Sequence, residues 1–397
     1  MLVYSMMKLN QLLLFFIPLF GSAQTWQQIT DFPGIERDDG VVFVIDNKAY
    51  CGTGYDSGFN PTFDFYSLNL ANDTWSAISG MPISEARQYA ASAVWNDQGY
   101  VFGGVGLGGA SALNDLWRYD PLSDTWTELE SLPSNGRTGA SSFVIADTLY
   151  IFGGRNESGI ALNELWAYDF SANSWSQRTG LNAISGMWRG ASTEHNNRGV
   201  VFFGVDASND FIEEMYWYDP VSDSWSVEPG LTLNGRSYPV YAKMGDYFLS
   251  YSGVDDSGIM TSFERYNFLT GQLDVLTSLP SFGRKGGFGF GSTSSFYVCA
   301  GVSDVARVKE TWKANSPLNL SANEGFKDIC VYQNGGQLLF EVEEIIKELE
   351  LFDHAGRLVK AAKSSNVLSL SGLDTGIYFY RVSLNGQETS GKVWIDL

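Results

Sequence analysis

Histidine occurs twice and cysteine three times in 397 residues, and 45 acidic side chains outnumber 25 basic ones. Each scarcity excludes something. A net charge of −20 disfavours nucleic acid and anionic membrane as general partners. Cys51, Cys299 and Cys330 form no CxxC and no Cys/His cluster, so neither metal nor cofactor is expected. Cys51 and Cys299 sit in apolar runs and read as small buried hydrophobes rather than a disulfide. Only 18% of residues are charged, while glycine reaches 43. That balance favours short strands joined by tight turns over helices.

Long apolar runs are also missing, with one exception. "LLLFFIPLF" (12–20) follows Lys8 and precedes Gly21-Ser22-Ala23. Nine apolar residues fall short of the roughly 20 that span a bilayer, so residues 1–23 are expected to be a signal peptide. "MKLNQLLLFF" from Met7 would suffice alone. No transmembrane segment is expected in the mature chain.

What is abundant is aromatic, at 15%, and it recurs periodically. Trp26, Trp75, Trp126, Trp175 and Trp225 are spaced 49, 51, 49 and 50 apart, and Leu273 follows 48 later. "WQQITDFP", "WSAISGMP", "WTELESLP" and "LDVLTSLP" each place proline seven residues on. Tyr119, Tyr168, Tyr218 and Tyr266 stand seven residues ahead. Earlier comes a small-residue pair: Gly103-Gly104, Gly153-Gly154, Ser252-Gly253, Ala300-Gly301, with looser copies at Thr53-Gly54 and Phe203-Gly204. Each unit reads as four strands, in the third "GASSFVIA", "TLYIFGG", "NELWAYDF" and "SWSQRT".

A glycine doublet, then Tyr, then Trp in units of about 50 residues resembles the kelch repeat over residues 24–317. The resemblance implies an all-β, six-bladed β-propeller around a central channel. The sixth unit lacks a fourth strand and residues 24–30 lack a blade. The N-terminal strand is therefore expected to complete the last blade, leaving no open edge.

After a polar linker, 318–325, alternating apolar runs in 326–397 read as a small β-sandwich with a hairpin turn at Asn385-Gly386. "LFDHAGRLVK" (351–360), "LSLSGLDTGIYFYRV" (368–382) and "GKVWI" (391–395) resemble the type A sorting domain of the type IX secretion system. Where that family opens with Tyr-Pro-Asn-Pro, this chain has "VYQNGG" (331–336). The resemblance implies export through the periplasm of a Gram-negative bacterium, recognition by outer-membrane secretion machinery, and release or anchoring at the surface.

Six arginines, Arg37, Arg87, Arg137, Arg189, Arg236 and Arg284, precede the innermost strands and are expected to ring one channel mouth. Five stand 16 residues before the small pair; Arg189 stands 14 before, read as a shortened fourth blade. A carboxylate series, Asp64, Asp115, Glu164, Glu214 and Glu310, lies at the start of the third strands on the same face. Blade five has Ser262 there and Glu264 two later. Two readings follow. The ring is a set of structural ion pairs, or part of it binds an extracellular glycan, polymer or protein. Trp188, Tyr89 and Tyr238 could stack on a ligand or pack along the channel, and the loops after the glycine pairs vary as binding loops do. "GLGG" (106–109) lacks the Lys-Ser/Thr of a phosphate loop.

For catalysis, His195 reads as core or channel lining. His354 lies in the tail, so the two-His, two-Tyr copper site of kelch-like galactose oxidases is excluded. Periplasmic N-acetylneuraminate epimerases are also six-bladed kelch propellers. An Arg/Glu-lined centre would suit their carboxylated sugar, so an epimerase or mutarotase is the alternative to a binding module.

Overall fold

The computed structural model describes residues 24–108, 111–315, 330–334, 336–341, 346–353, 357–384 and 387–395. The expected leader 1–23, the linker 318–325, His354 and the Asn385-Gly386 turn lie outside these. The chain divides into two compact units at 319/320.

The first unit holds six four-stranded antiparallel sheets. Blade three is typical: Ser141–Ile145, Thr148–Phe152, Leu165–Asp169 and Ser174–Arg178, in that order from the inside out. Burial follows the strand's place. The inner strand alternates, its half-buried residues facing the channel. The second strand is buried at four of five positions, and the outer one is wet except at its tryptophan.

Blade six takes its outer strand from the other end of the chain. Thr25–Ile29 pairs antiparallel with Thr311–Asn315. A side-chain bond repeats the same logic. The indole N–H of Trp75, Trp126, Trp175 and Trp225 donates to a carbonyl just past the outer strand of the preceding blade: Thr30, Ser79, Glu130 and Thr179. Trp26 does this to Thr277 of blade five, as an outer-strand residue of blade six must.

The small-residue pairs explain themselves. Both members have positive φ, at Gly103-Gly104 as at Phe203-Gly204. The second is glycine in every blade because a Cβ there would crowd the segment that leads into the same blade's inner strand; on Gly104 it would sit 2.5 Å from the Gln88 carbonyl. The first is also left-handed, which Thr53, Ser252 and Ala300 tolerate, whereas at Gly103 and Gly153 a Cβ would lie 2.7 and 2.3 Å from the next blade's Arg137 and Met187 carbonyls.

His195 is 4% exposed and stacks on Phe268 at 4.6 Å, a core residue as read. Cys51 and Cys299 are buried free thiols in one apolar cluster. Burial pushes Cys299 up to about 12.

The second unit has a three-stranded and a four-stranded antiparallel sheet. Leu338, Phe340, Leu349, Leu351, Leu368 and Val382 belong to a single buried cluster.

Candidate functional site

Five of the six arginines are at most 1% exposed and pair inside their own blade. Arg37 bonds both oxygens of Asp64 at 2.6 and 2.9 Å. Arg87 grips Asp115 with two bonds of 2.8 Å. Arg137 meets Glu164 at 3.1 Å and Arg284 meets Glu310 at 3.0 Å. Arg236 bonds Ser262 at 3.1 Å and Glu264 at 2.6 Å. Each also reaches the carbonyl 16 residues on, the first of the small pair. Tryptophan N–H groups of Trp117, Trp166 and Trp312 hold the carboxylates of Asp115, Glu164 and Glu310. These guanidinium forks brace the first, second and third strands of a blade and leave little for a ligand.

Arg189 does not match the other five, which corrects the expectation of six equivalent positions. Met187 stands at the matching place: Gly154 donates to the Met187 carbonyl at 2.8 Å, as Gly104 donates to Arg137 at 2.9 Å. The count from Met187 to Phe203 is 16, so blade four is not shortened. Glu214, the carboxylate of this blade, is exposed and has no ion pair among the described residues. Arg189 is shifted two residues toward the axis.

That shift places it in a closed circle. Asp39, Tyr89, Gly139, Arg189, Tyr238 and Gly286 each follow their blade's brace position by two. All are left-handed, with φ of 57°, 58°, 63°, 57°, 56° and 62°. Each N–H donates to the carbonyl of the preceding member, and Asp39 closes the circle on Gly286 at 2.7 Å. Glycine at every third place makes room for the side chain that follows it. A Cβ on Gly139 would lie 3.1 Å from Arg189 Cγ, and one on Gly286 would lie 2.3 Å from Asp39 Oδ1.

The Arg189 guanidinium reaches over the mouth. Its carbon lies 3.6 Å from the Trp188 ring centroid, 4.1 Å from Tyr238 and 4.5 Å from Tyr89. The two tyrosine rings are 6.1 Å apart. No carboxylate among the described residues is within ion-pair distance of Arg189, and its Nε is buried with no partner. Burial therefore lowers Arg189 to about 10, against the pull of Tyr89 and Asp39. Asp39, buried beside Asp38, is raised well above the usual carboxylate range by desolvation and then by the Asp38 charge, which outweigh Arg189. Asp38 itself bonds Arg307 at 2.6 Å.

Five of the eleven buried side-chain polar atoms without a partner among the described residues belong to the segments leading into blades two to four and to the blade-three loop. Gln88 Oε1, Thr138 Oγ1, Arg155 Nε, Trp188 Nε1 and Arg189 Nε are all buried without a hydrogen-bond partner. Such groups cost free energy unless something bonds them. Behind the circle lies a cavity of about 500 Å³ between the inner strands. Its serines are committed: Ser92, Ser142 and Ser192 donate to Val42, Ser92 and Ser142 carbonyls of the adjacent blade. Free polar capacity thus sits at the mouth.

Sequence reasoning named Arg189, Trp188, Tyr89 and Tyr238 but missed Asp38, Asp39 and Arg155. The interval of 14 instead of 16 was the available signal that Arg189 belonged to another ring.

Three families match parts of the chain: the Attractin/LZTR1 beta-propeller over residues 130–246, N-acetylneuraminate epimerase over 57–172, and the secretion system C-terminal sorting domain over 314–396. N-acetylneuraminate epimerase of Haemophilus influenzae (strain 86-028NP) is 27% identical over 254 residues, covering 61% of this chain and 58% of that one. The Shigella sonnei (strain Ss046) protein of the same name is 26% identical over 276 residues, 66% and 68% of the two chains. Mouse Kelch-like protein 35 is 24% identical over 258 residues, 65% and 42%. A solved structure titled "Structure of YjhT" superposes with TM-score 0.61 at 17% identity, over 71% of this chain and 95% of that one. The alignment spans less than two thirds of the Haemophilus relative. Repeat, sheets and matches agree that this chain is a kelch-type β-propeller carrying a C-terminal secretion sorting domain.

Proposed function

We propose that the exported propeller binds an acidic sugar at the mouth built around Arg189. The observation that carries this reading is a half-buried arginine with a buried, unpartnered Nε and, unlike the braces Arg137 and Arg284 whose Nε is also unpartnered, no ion-paired carboxylate among the described residues. A ligand carboxylate would supply the missing acceptor in a fork geometry. Tyr89 and Tyr238 offer ring faces to a sugar's apolar side, although Arg189 covers part of them. The relatives named for N-acetylneuraminate make a carboxylated sugar the natural first probe. The sorting domain places the site outside the cell, where glycans and their fragments are met.

One observation favours a second reading, catalysis on the same sugar. Asp39 holds its proton more tightly than an ordinary carboxyl, as a general acid must. Anomer interconversion requires a proton taken from the anomeric hydroxyl and one given to the ring oxygen, which then leaves the anomeric carbon. Titration of the protein with N-acetylneuraminate, followed by NMR, tests both readings. Binding without faster anomer exchange supports the binding module; faster exchange at catalytic protein concentration supports the enzyme. Absence of binding at millimolar sugar removes both.

A further inference from the structure

Arg155 and Arg189 each place their guanidinium carbon 3.6 Å from the Trp188 ring centroid. Two carbons cannot share one face of a ring at that distance without overlapping. The indole is therefore sandwiched, and the two cations lie about 7 Å apart on its opposite faces. A single carboxylate cannot bond both forks across the thickness of an indole.

Each side has its own unmet polar group. On the Arg155 side, Nη2 donates to Asn209 at 2.7 Å while Nε is buried and unpartnered. Thr138, the cross-strand neighbour of Arg155, has a buried hydroxyl with no partner. Trp188 is 6% exposed, and its N–H also has no partner. Burial lowers Arg155 as it does Arg189. Cation repulsion across the indole adds to this on Arg189. Two anionic groups would relieve both sides at once.

We infer that Arg155, Thr138 and the Trp188 N–H form a second subsite, which takes the next acidic residue of a glycan chain whose terminal residue sits on Arg189. The ligand is then an acidic oligosaccharide, not a free monosaccharide. Arg155 and Asn209 lie on the loops of blades three and four, so the chain would extend outward across those loops. This inference rests on the acidic-sugar reading of the Arg189 mouth.

The test measures calorimetric binding of the full chain to N-acetylneuraminate, to its α-linked dimer, to galacturonate and to digalacturonate. At least one dimer is expected to bind about tenfold tighter than its own monomer. Arg155→Gln should abolish that advantage while changing monomer affinity far less than dimer affinity. Arg189→Gln should weaken monomer and dimer together. Equal binding of monomer and dimer, or an Arg155→Gln loss as large for the monomer as for the dimer, overturns the second subsite while leaving the Arg189 site standing. Failure of all four probes to bind the unaltered chain removes the acidic-sugar reading itself, and the subsite with it. Unchanged melting temperature of Arg155→Gln separates lost contact from lost fold.

Discussion

The Met187 carbonyl accepts the Gly154 N–H at 2.8 Å, holding in blade four the place that arginine holds in the other five. The backbone frame thus tolerates an apolar side chain where Arg87 or Arg137 stands elsewhere. In blade four the carboxylate partner has let go as well: Glu214 is exposed, and Tyr216 stands where Trp117, Trp166 and Trp312 hold the carboxylate in other blades.

The first prediction concerns the braces. Arg87→Ala leaves Asp115 with its principal partner gone in a partly buried place, at a cost of about 3–5 kcal/mol. Removing both charges together, as Arg87→Met with Asp115→Leu, should cost much less, because no unpaired charge remains. Denaturant unfolding of the three proteins checks the order. A double variant less stable than Arg87→Ala would show that the pair does more than satisfy itself. Sugar binding should be unchanged in any of them that folds.

Arg189 should behave in the opposite way. With no ion pair to break, Arg189→Gln is expected to cost about 1–2 kcal/mol, from lost stacking on three rings, less than breaking a brace. Its sugar affinity should fall more than tenfold, by loss of a charge-assisted fork. Lysine should not restore it, since it lacks the planar fork. Parallel thermal melts and calorimetry distinguish this residue from the five braces.

These contrasts mark what the sequence could and could not show. Propeller, blade period and N-terminal closure were legible because Trp, Tyr and glycine recur at positions where indole donation and close backbone approach leave few alternatives. The arginine–carboxylate pairs were legible from spacing, including the displaced Glu264. The site was not. Asp39, Tyr89, Gly139, Arg189, Tyr238 and Gly286 share a backbone conformation and a hydrogen-bonded circle, but tyrosine and glycine each recur only once and aspartate and arginine not at all, so no residue type marks the position from blade to blade. Arg155 lies on a variable loop, and only the fold brings it against Trp188.

The carboxyl in that circle has a definite pH signature. Asp39 is raised above its unfolded value, so its ionised form costs stability, and the cost is released as pH falls through the folded pKa. Asp39→Asn keeps the left-handed backbone, which asparagine accepts, and removes the charge. It should melt higher than the unaltered protein at mildly alkaline pH, and the gap should close on acidification. A lower melting temperature at every pH would mean that the attraction of Arg189 outweighs desolvation and the Asp38 charge.

Binding should carry a signature at the other end of the scale. Arg189 is held near 10 by burial, so it is charged throughout the neutral range. Affinity for an anionic sugar is expected to stay flat there, then fall as the pH passes about 10, where the free protein loses the proton. An unburied arginine would hold its charge past 12 and show no such fall. The decline should disappear in Arg189→Gln, whose residual binding has no guanidinium to titrate. Calorimetric titrations of both proteins from neutral to alkaline pH, within the range where the fold persists by circular dichroism, check this. A flat profile in the unaltered protein would place the anion on a cation other than Arg189.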